Sequence, residues 1–176
     1  MIKHPDQRVG VFVDVQNMYY SAKNLYDRHV NFANVLKDAV SGRRLIRATA
    51  YTVKAQLPDE RHFFEALKAQ GFEVKSKDLQ IFPGGVKKGD WDVGISVDAI
   101  KISRQLDVVV LVTGDGDFLP LVEYLQYHGL LVEVLAFGRT ASSRLVDRTD
   151  DFIDLSGNAR KYLMRASQRR ESATAT

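Results

Sequence analysis

The chain has 176 residues, 45% of them hydrophobic and 27% charged, with a formal net charge of +3. That is the composition of one soluble domain able to bury a core, and no apolar run approaches the roughly 20 residues that a membrane helix needs. The absence of cysteine excludes disulfides, thiolate zinc sites and cysteine nucleophiles, and with an N-terminus, "MIKHPDQRVG", that lacks an apolar leader core, it points to a cytoplasmic protein.

The segment "RVGVFVD" (8–14) reads as a strand, and the polar-aromatic stretch after it as a helix. "NFANVLKDAV" (31–40) has helical spacing at Phe32, Val35, Leu36 and Ala39, closed by Ser41-Gly42. "LIRATAYTV" (45–53) is β-branched and aromatic, hence a strand. Pro58 is expected to open a helix that Gly71 closes, with a short strand over 72–77 after it. The basic stretch "FPGGVKKGD" (82–90) reads as a loop, followed by a helix from Trp91 to about Gln105. Then come a strand over 107–113, a helix over 117–128 ended by Gly129, a strand over 130–137 and a short strand over 151–155. The tail from residue 157 is helical at first and then frays.

Strands alternating with helices define βαβ units and a parallel sheet, and the continuous apolar runs suit strands covered on both faces. The expectation is one three-layer α/β/α domain with a mainly parallel sheet over residues 1–156, followed by a basic tail, 157–176. In such sheets ligands sit beyond the carboxyl ends of the strands. Two strands end there in acid: the first at Asp14, and the strand of 107–113 in "TGDGD", with Asp115 and Asp117. If those strands are neighbours, the carboxylates converge, and a hard divalent cation is what relieves their repulsion. One of Asp115 and Asp117 is also expected to cap the turn that follows.

The helix from Trp91 adds Asp92 in its first turn, best placed to reach the sheet edge, and Asp98 further on. Its apolar face is Val93, Val97 and Ile100, which leaves Asp98 on a polar stripe that reads equally as solvated surface. Basic residues gather in the tail, including Arg160, Lys161 and Arg165, and in a second group of Lys75, Lys77, Lys87 and Lys88. Such runs serve either as solvated surface or as phosphate contacts. Tyr19 and Tyr20 read as core residues before base-stacking ones, and the four histidines lack metal-ligand spacing.

"VFVDVQN", "KKGDWDVGISVDAI", "LVTGDGDFLPLVEYLQYHG" and "SSRLVDRTDDFIDL", in this order, resemble the NYN domain of the PIN-like nuclease superfamily, closest to its LabA-like bacterial branch. The resemblance implies a sheet ordered 3-2-1-4-5, a pocket for Mg²⁺ or Mn²⁺, and phosphodiester hydrolysis, mostly of RNA. By position it assigns Asp14, Asp92, Asp115 and Asp117 to the acidic quartet. It matches Asp98 to a branch-specific acid, and Asn17 to an asparagine that supports the first acid. The expected site therefore has Asp14 and Asp115 on one metal and Asp117 and Asp92 on a second ion or the attacking water. Thr113 backs an aspartate, and Lys87, Lys88, Arg160, Lys161 and Arg165 contact nucleic acid. No membrane partner is expected, and a homodimer is left open.

Two other readings compete. A haloacid-dehalogenase-like phosphatase also begins with an acid at a strand end, but needs a second Asp where Gln16 stands. A catalytically weak NYN domain that acts as a regulatory RNA-binding or protein-interaction module is the alternative from another class.

Overall fold

The first strand, β1 (Arg8–Asp14), is buried along almost its whole length and lies at the centre of a six-stranded sheet. The computed structural model describes residues 2–54, 60–81, 83 and 87–164. Parallel to β1 on one side run β2 (Arg44–Lys54) and β3 (Glu73–Asp78); on the other run β6 (Val108–Val112), β7 (Leu131–Ala136) and β8 (Asp151–Asp154). The order is β3-β2-β1-β6-β7-β8, the expected 3-2-1-4-5 arrangement with "DFID" added as a sixth, edge strand. A separate two-stranded ribbon pairs β4 (Gln80–Ile81) with β5 (Lys87–Lys88), so the basic stretch read as a loop carries a strand.

Side chains alternate across the sheet and feed two cores. Val11, Val13, Ala50, Val110 and Val112 face one way and pack against α1 (Val15–Tyr26), α2 (Phe32–Val40) and α3 (Glu60–Ala69). Phe12, Tyr51, Val109 and Leu111 face the other way, beneath α4 (Asp92–Ile102), α5 (Leu119–Tyr127) and α6 (Ser143–Arg148). Gly71 and Gly129 follow α3 and α5 with φ of 101° and 83°, left-handed conformations that glycine adopts without a Cβ clash. Pro58, expected to open α3, lies outside the described residues.

Glu133 interrupts the apolar run of β7 and is wholly buried. Both of its carboxylate oxygens accept from the Arg43 guanidinium, at 2.6 and 2.9 Å, and Arg43 also donates to the Ala39 and Val40 carbonyls. This bidentate pair ties the chain after α2 to β7 on the same sheet face.

Two faces differ from the sequence reading. On α4 the apolar stripe Val93, Val97 and Ile100 points outward, and Ile95, Ala99 and Asp98 turn toward the sheet. The cause is the anchor before the helix. The Trp91 indole donates to the Thr52 carbonyl at 2.7 Å, packs tilted against Tyr51 with centroids 5.2 Å apart, and fills the space where a Cβ on Gly94 would stand. Periodicity alone cannot choose between two apolar faces of one helix. Tyr19 and Tyr20, read as core, are 40% and 54% exposed and meet edge to face.

The first described residues after 156 pack onto the core. A 3-10 turn (Leu155–Asn158) leads into the short α7 (Ala159–Tyr162). Tyr162 and Leu163 are buried with the α1–α2 side of the sheet, and Leu163 bridges to Val30.

Candidate metal centre

β1 and β6 pair directly, with Val13 opposite Val112, so Asp14 and the Thr113–Asp117 turn leave the sheet at the same edge. The chain after β6 forms a 3-10 turn (Gly116–Phe118) before α5. Asp115 caps it: its carboxylate accepts the Asp117 N–H at 2.9 Å, while its own N–H donates to the Thr113 hydroxyl at 3.2 Å. Thr113 is buried, so it backs the acidic turn through the main chain, not through a carboxylate.

The two glycines of "TGDGD" are there because another loop presses on them. A Cβ on Gly114 would lie 3.0 Å from the Ala141 Cα, and one on Gly116 would lie 2.7 Å from the Ser142 hydroxyl. The Ser142 N–H also donates to the Gly114 carbonyl at 2.9 Å. From the other side, the Asn17 side chain accepts the Gly114 N–H at 2.9 Å. Asn17, expected to support the first acid, does so through its N–H, which donates to Asp14 at 3.0 Å, while its side-chain oxygen clamps the turn.

Carboxylate oxygens of Asp92, Asp115 and Asp117 all lie within 4.8 Å of one another. Asp92 reaches them from the first turn of α4. Asp117 is exposed and the other two are half-buried, so the group opens to solvent. Burial, then the charges of Asp115, Asp90 and Asp117, raise the Asp92 carboxyl above its ordinary range; Lys77 opposes the shift. Three oxygens so close, from acids that repel one another, form a donor set that fits a hard divalent cation.

Asp14 stands beside this trio and outside it. Only 7% exposed, it starts α1 and gives one oxygen to the Asn17 N–H. Burial pushes its carboxyl up to about 6, against the Asn17 bond and with the charges of Asp92 and Asp115 adding. Of the expected quartet, Asp92, Asp115 and Asp117 form the close trio, and Asp14 is a buried fourth acid coupled to it.

Asp98 is not brought to the cluster. It accepts from Lys75 Nζ at 2.7 Å and from the Tyr51 hydroxyl at 2.9 Å, over β2 and β3. Burial pulls its carboxyl up, but Lys75 and Tyr51 outweigh it and hold it below the ordinary range. The helix that offers Asp92 to the edge turns Asp98 onto the sheet, so it is neither plain solvated surface nor a member of the trio.

The basic residues separate too. Lys161 Nζ lies 2.5 Å from Asp38 on α2, which also accepts from the Tyr162 hydroxyl, on the sheet face opposite α4. Arg160 is exposed on α7. Lys87 and Lys88 form β5, with their side chains outside the described part, as is Arg165. The cation that the sequence reading does not assign to the site is Lys77. It stands 4.8 Å from the Trp91 ring centroid and acts electrostatically on Asp92. The period-two alternation of "EVKSK" sets Glu73, Lys75 and Lys77 on one strand face, and that is the available signal.

A parallel sheet in this order, with acids gathered where β1 and β6 end, is the PIN-like arrangement of a three-layer α/β/α domain. The chain belongs to the NYN domain family, whose model matches residues 8–156. Domains of this family are generally nucleases. A crystal structure of a protein of unknown function from Vibrio parahaemolyticus superposes with a TM-score of 0.83 at 34% identity, over 93% of this chain and 100% of that one. The low amplitude and bright protein LabA of Synechococcus elongatus is 29% identical over 160 residues, which is 84% of this chain and 83% of LabA.

Proposed function

We propose that this NYN domain is a metal-dependent ribonuclease whose centre is the trio Asp92, Asp115 and Asp117. The carrying observation is their mutual approach to within 4.8 Å at the edge where β1 and β6 end. These oxygens would hold magnesium or manganese, which would supply charge stabilisation to a phosphodiester and an activated water. The protein's own part is to hold the acids still. Asn17 and Thr113 brace the turn that carries Asp115 and Asp117, and Trp91 fixes the first turn of α4, with Asp92 on it. Without a cation, burial and the neighbouring acids hold the Asp14 carboxyl at about 6; a cation on the trio would lower it and leave Asp14 as a buried carboxylate beside the centre. Lys77, beside Asp92, is the described cation best placed to meet a substrate phosphate; Lys87, Lys88, Arg160, Lys161 and Arg165 remain proposed as outlying contacts.

The test is cleavage of a mixed RNA pool with Mg²⁺, Mn²⁺ or chelator, comparing the wild type with Asp115→Asn. Metal-dependent cleavage that the variant loses by about 100-fold or more supports the reading, since removing one group that stabilises developing charge has that scale of effect. Cleavage at equal rates in both proteins, or none in either, overturns it. A melting temperature that Mn²⁺ raises in the wild type but not in Asp115→Asn shows metal binding independently of turnover.

A further inference from the structure

Helix α4 is apolar on two sides, and the described chain covers one of them. Ile95 and Ala99 are buried, whereas Val93, Val97 and Ile100 are 75%, 41% and 38% exposed in one i, i+4, i+7 line. An apolar line on a helix normally faces a covering partner. Ile100 also lines a cleft of about 720 Å³ between α4 and α5, which Tyr124 lines from the other side. The exposed line thereby continues toward Tyr124, which is 40% exposed.

The charges at the two ends of this line are of opposite sign. Before it stand Asp90 and Asp92; after it stand Lys101 and Arg104, both exposed. Asp90 lies just before α4 and Arg104 in the 3-10 turn just after it, seven residues to either side of Val97, so acid and base stand at opposite ends of the exposed line. The face is therefore complementary to itself when reversed. A two-fold axis at Val97 sets Val97 against its own copy, Val93 against Ile100 and the stem of Lys101, and Asp90 against Arg104.

We propose that the Val93–Val97–Ile100 face of α4 is a homodimer interface, in which a second copy of this chain packs antiparallel across a two-fold axis at Val97. Such an isologous contact buries the apolar line on both copies at once. It also brings Arg104 of each copy to the acidic end of the other. The inference stands whether or not the acidic trio cleaves RNA.

Sedimentation equilibrium over about 1 to 100 µM tests it, the range in which a micromolar dimer dissociates. The expected result is a dimer that Val97→Glu weakens by about 100-fold, because two carboxylates then face each other across the axis. Arg104→Asp should weaken it about tenfold, and adding Asp90→Arg to that variant should restore it. Val97 lies outside the core, so the melting temperature of the Val97→Glu monomer should stay near the wild type. If that variant unfolds, the charge-reversal pair carries the test. The chain has no cysteine, so Val97→Cys adds a single thiol that should cross-link to its own copy on oxidation, while Arg61→Cys on the opposite layer should not. A monomer at every concentration, or a dimer unaffected by Val97→Glu and by Arg104→Asp, overturns the proposal. So does a monomeric Val97→Cys variant whose thiol becomes more reactive when residues 165–176 are removed, which assigns the face to the chain's own tail.

Discussion

At Gly114 and Gly116 the reason for glycine is space, since neither has positive φ. The nearest atoms to a Cβ on Gly114 include the Ala141 main chain, which cannot rotate away, while Gly116 meets a serine side chain that can. Gly114→Ala is therefore expected to cost about 1–3 kcal/mol of stability and to displace the acidic turn, with Gly116→Ala costing less. Denaturant unfolding of the two variants checks the order, and a Gly114→Ala protein as stable as the wild type would contradict it.

The raised carboxyl of Asp14 makes a pH prediction. A folded value of about 6 against an ordinary 3.8 means that the folded state binds this proton more tightly. The contribution is absent below about pH 4, and destabilisation grows as pH rises toward 6, by about 3 kcal/mol in total. In chelator, the stability difference between Asp14→Asn and the wild type should thus shift in the variant's favour from pH 4 to pH 7. A difference that stays flat with pH would show that Asp14 is solvated.

At the scale of the element, α4 divides its two acids. Asp92 joins the trio and Asp98 faces Lys75 and Tyr51, so the two substitutions should fail in different ways. Asp92→Asn should abolish most turnover while stability holds or rises, because a mutually repelling charge is removed. Asp98→Asn should cost about 1–2 kcal/mol through its charged hydrogen bonds, with turnover retained at matched folded fraction. RNA cleavage and thermal unfolding of both variants separate the two; a larger loss of turnover from Asp98→Asn would move the role given to Asp92 to Asp98.

β7 and α7 show how elements are joined across the molecule. Glu133→Gln leaves the Arg43 guanidinium buried without its counter-charge, a loss expected to be about 3–5 kcal/mol. Ending the chain after Asn158 removes buried Tyr162 and Leu163, and should cost about 3–5 kcal/mol from the apolar surface exposed. Ending it after Met164 keeps both side chains, so the difference between the two truncations isolates their contribution. If the shorter chain is equally stable but binds RNA with a shallower salt dependence, the tail's role is in phosphate contact and not in packing.

For the whole molecule, the sequence by itself determined the layered α/β fold, the strand-ending acids and the direction in which they point. Continuous apolar runs separated by helical segments can be buried only in a parallel sheet covered on both faces. Asp115 and Asp117, set one residue apart after β6, and Asp92 at a helix start were legible for the same reason: each follows from a position along one element. What only the tertiary structure decided was which groups meet across elements. It separated Asp98 from Asp92 by anchoring Trp91 against Tyr51, and left Asp14 beside the trio because its carboxylate caps α1. It also paired Lys161 with Asp38 and brought Lys77 to bear on Asp92. Local periodicity states which residues share a face, but the partner of a face is set by the packing of segments far apart in the chain, where long-range contacts and steric fit outweigh local pattern.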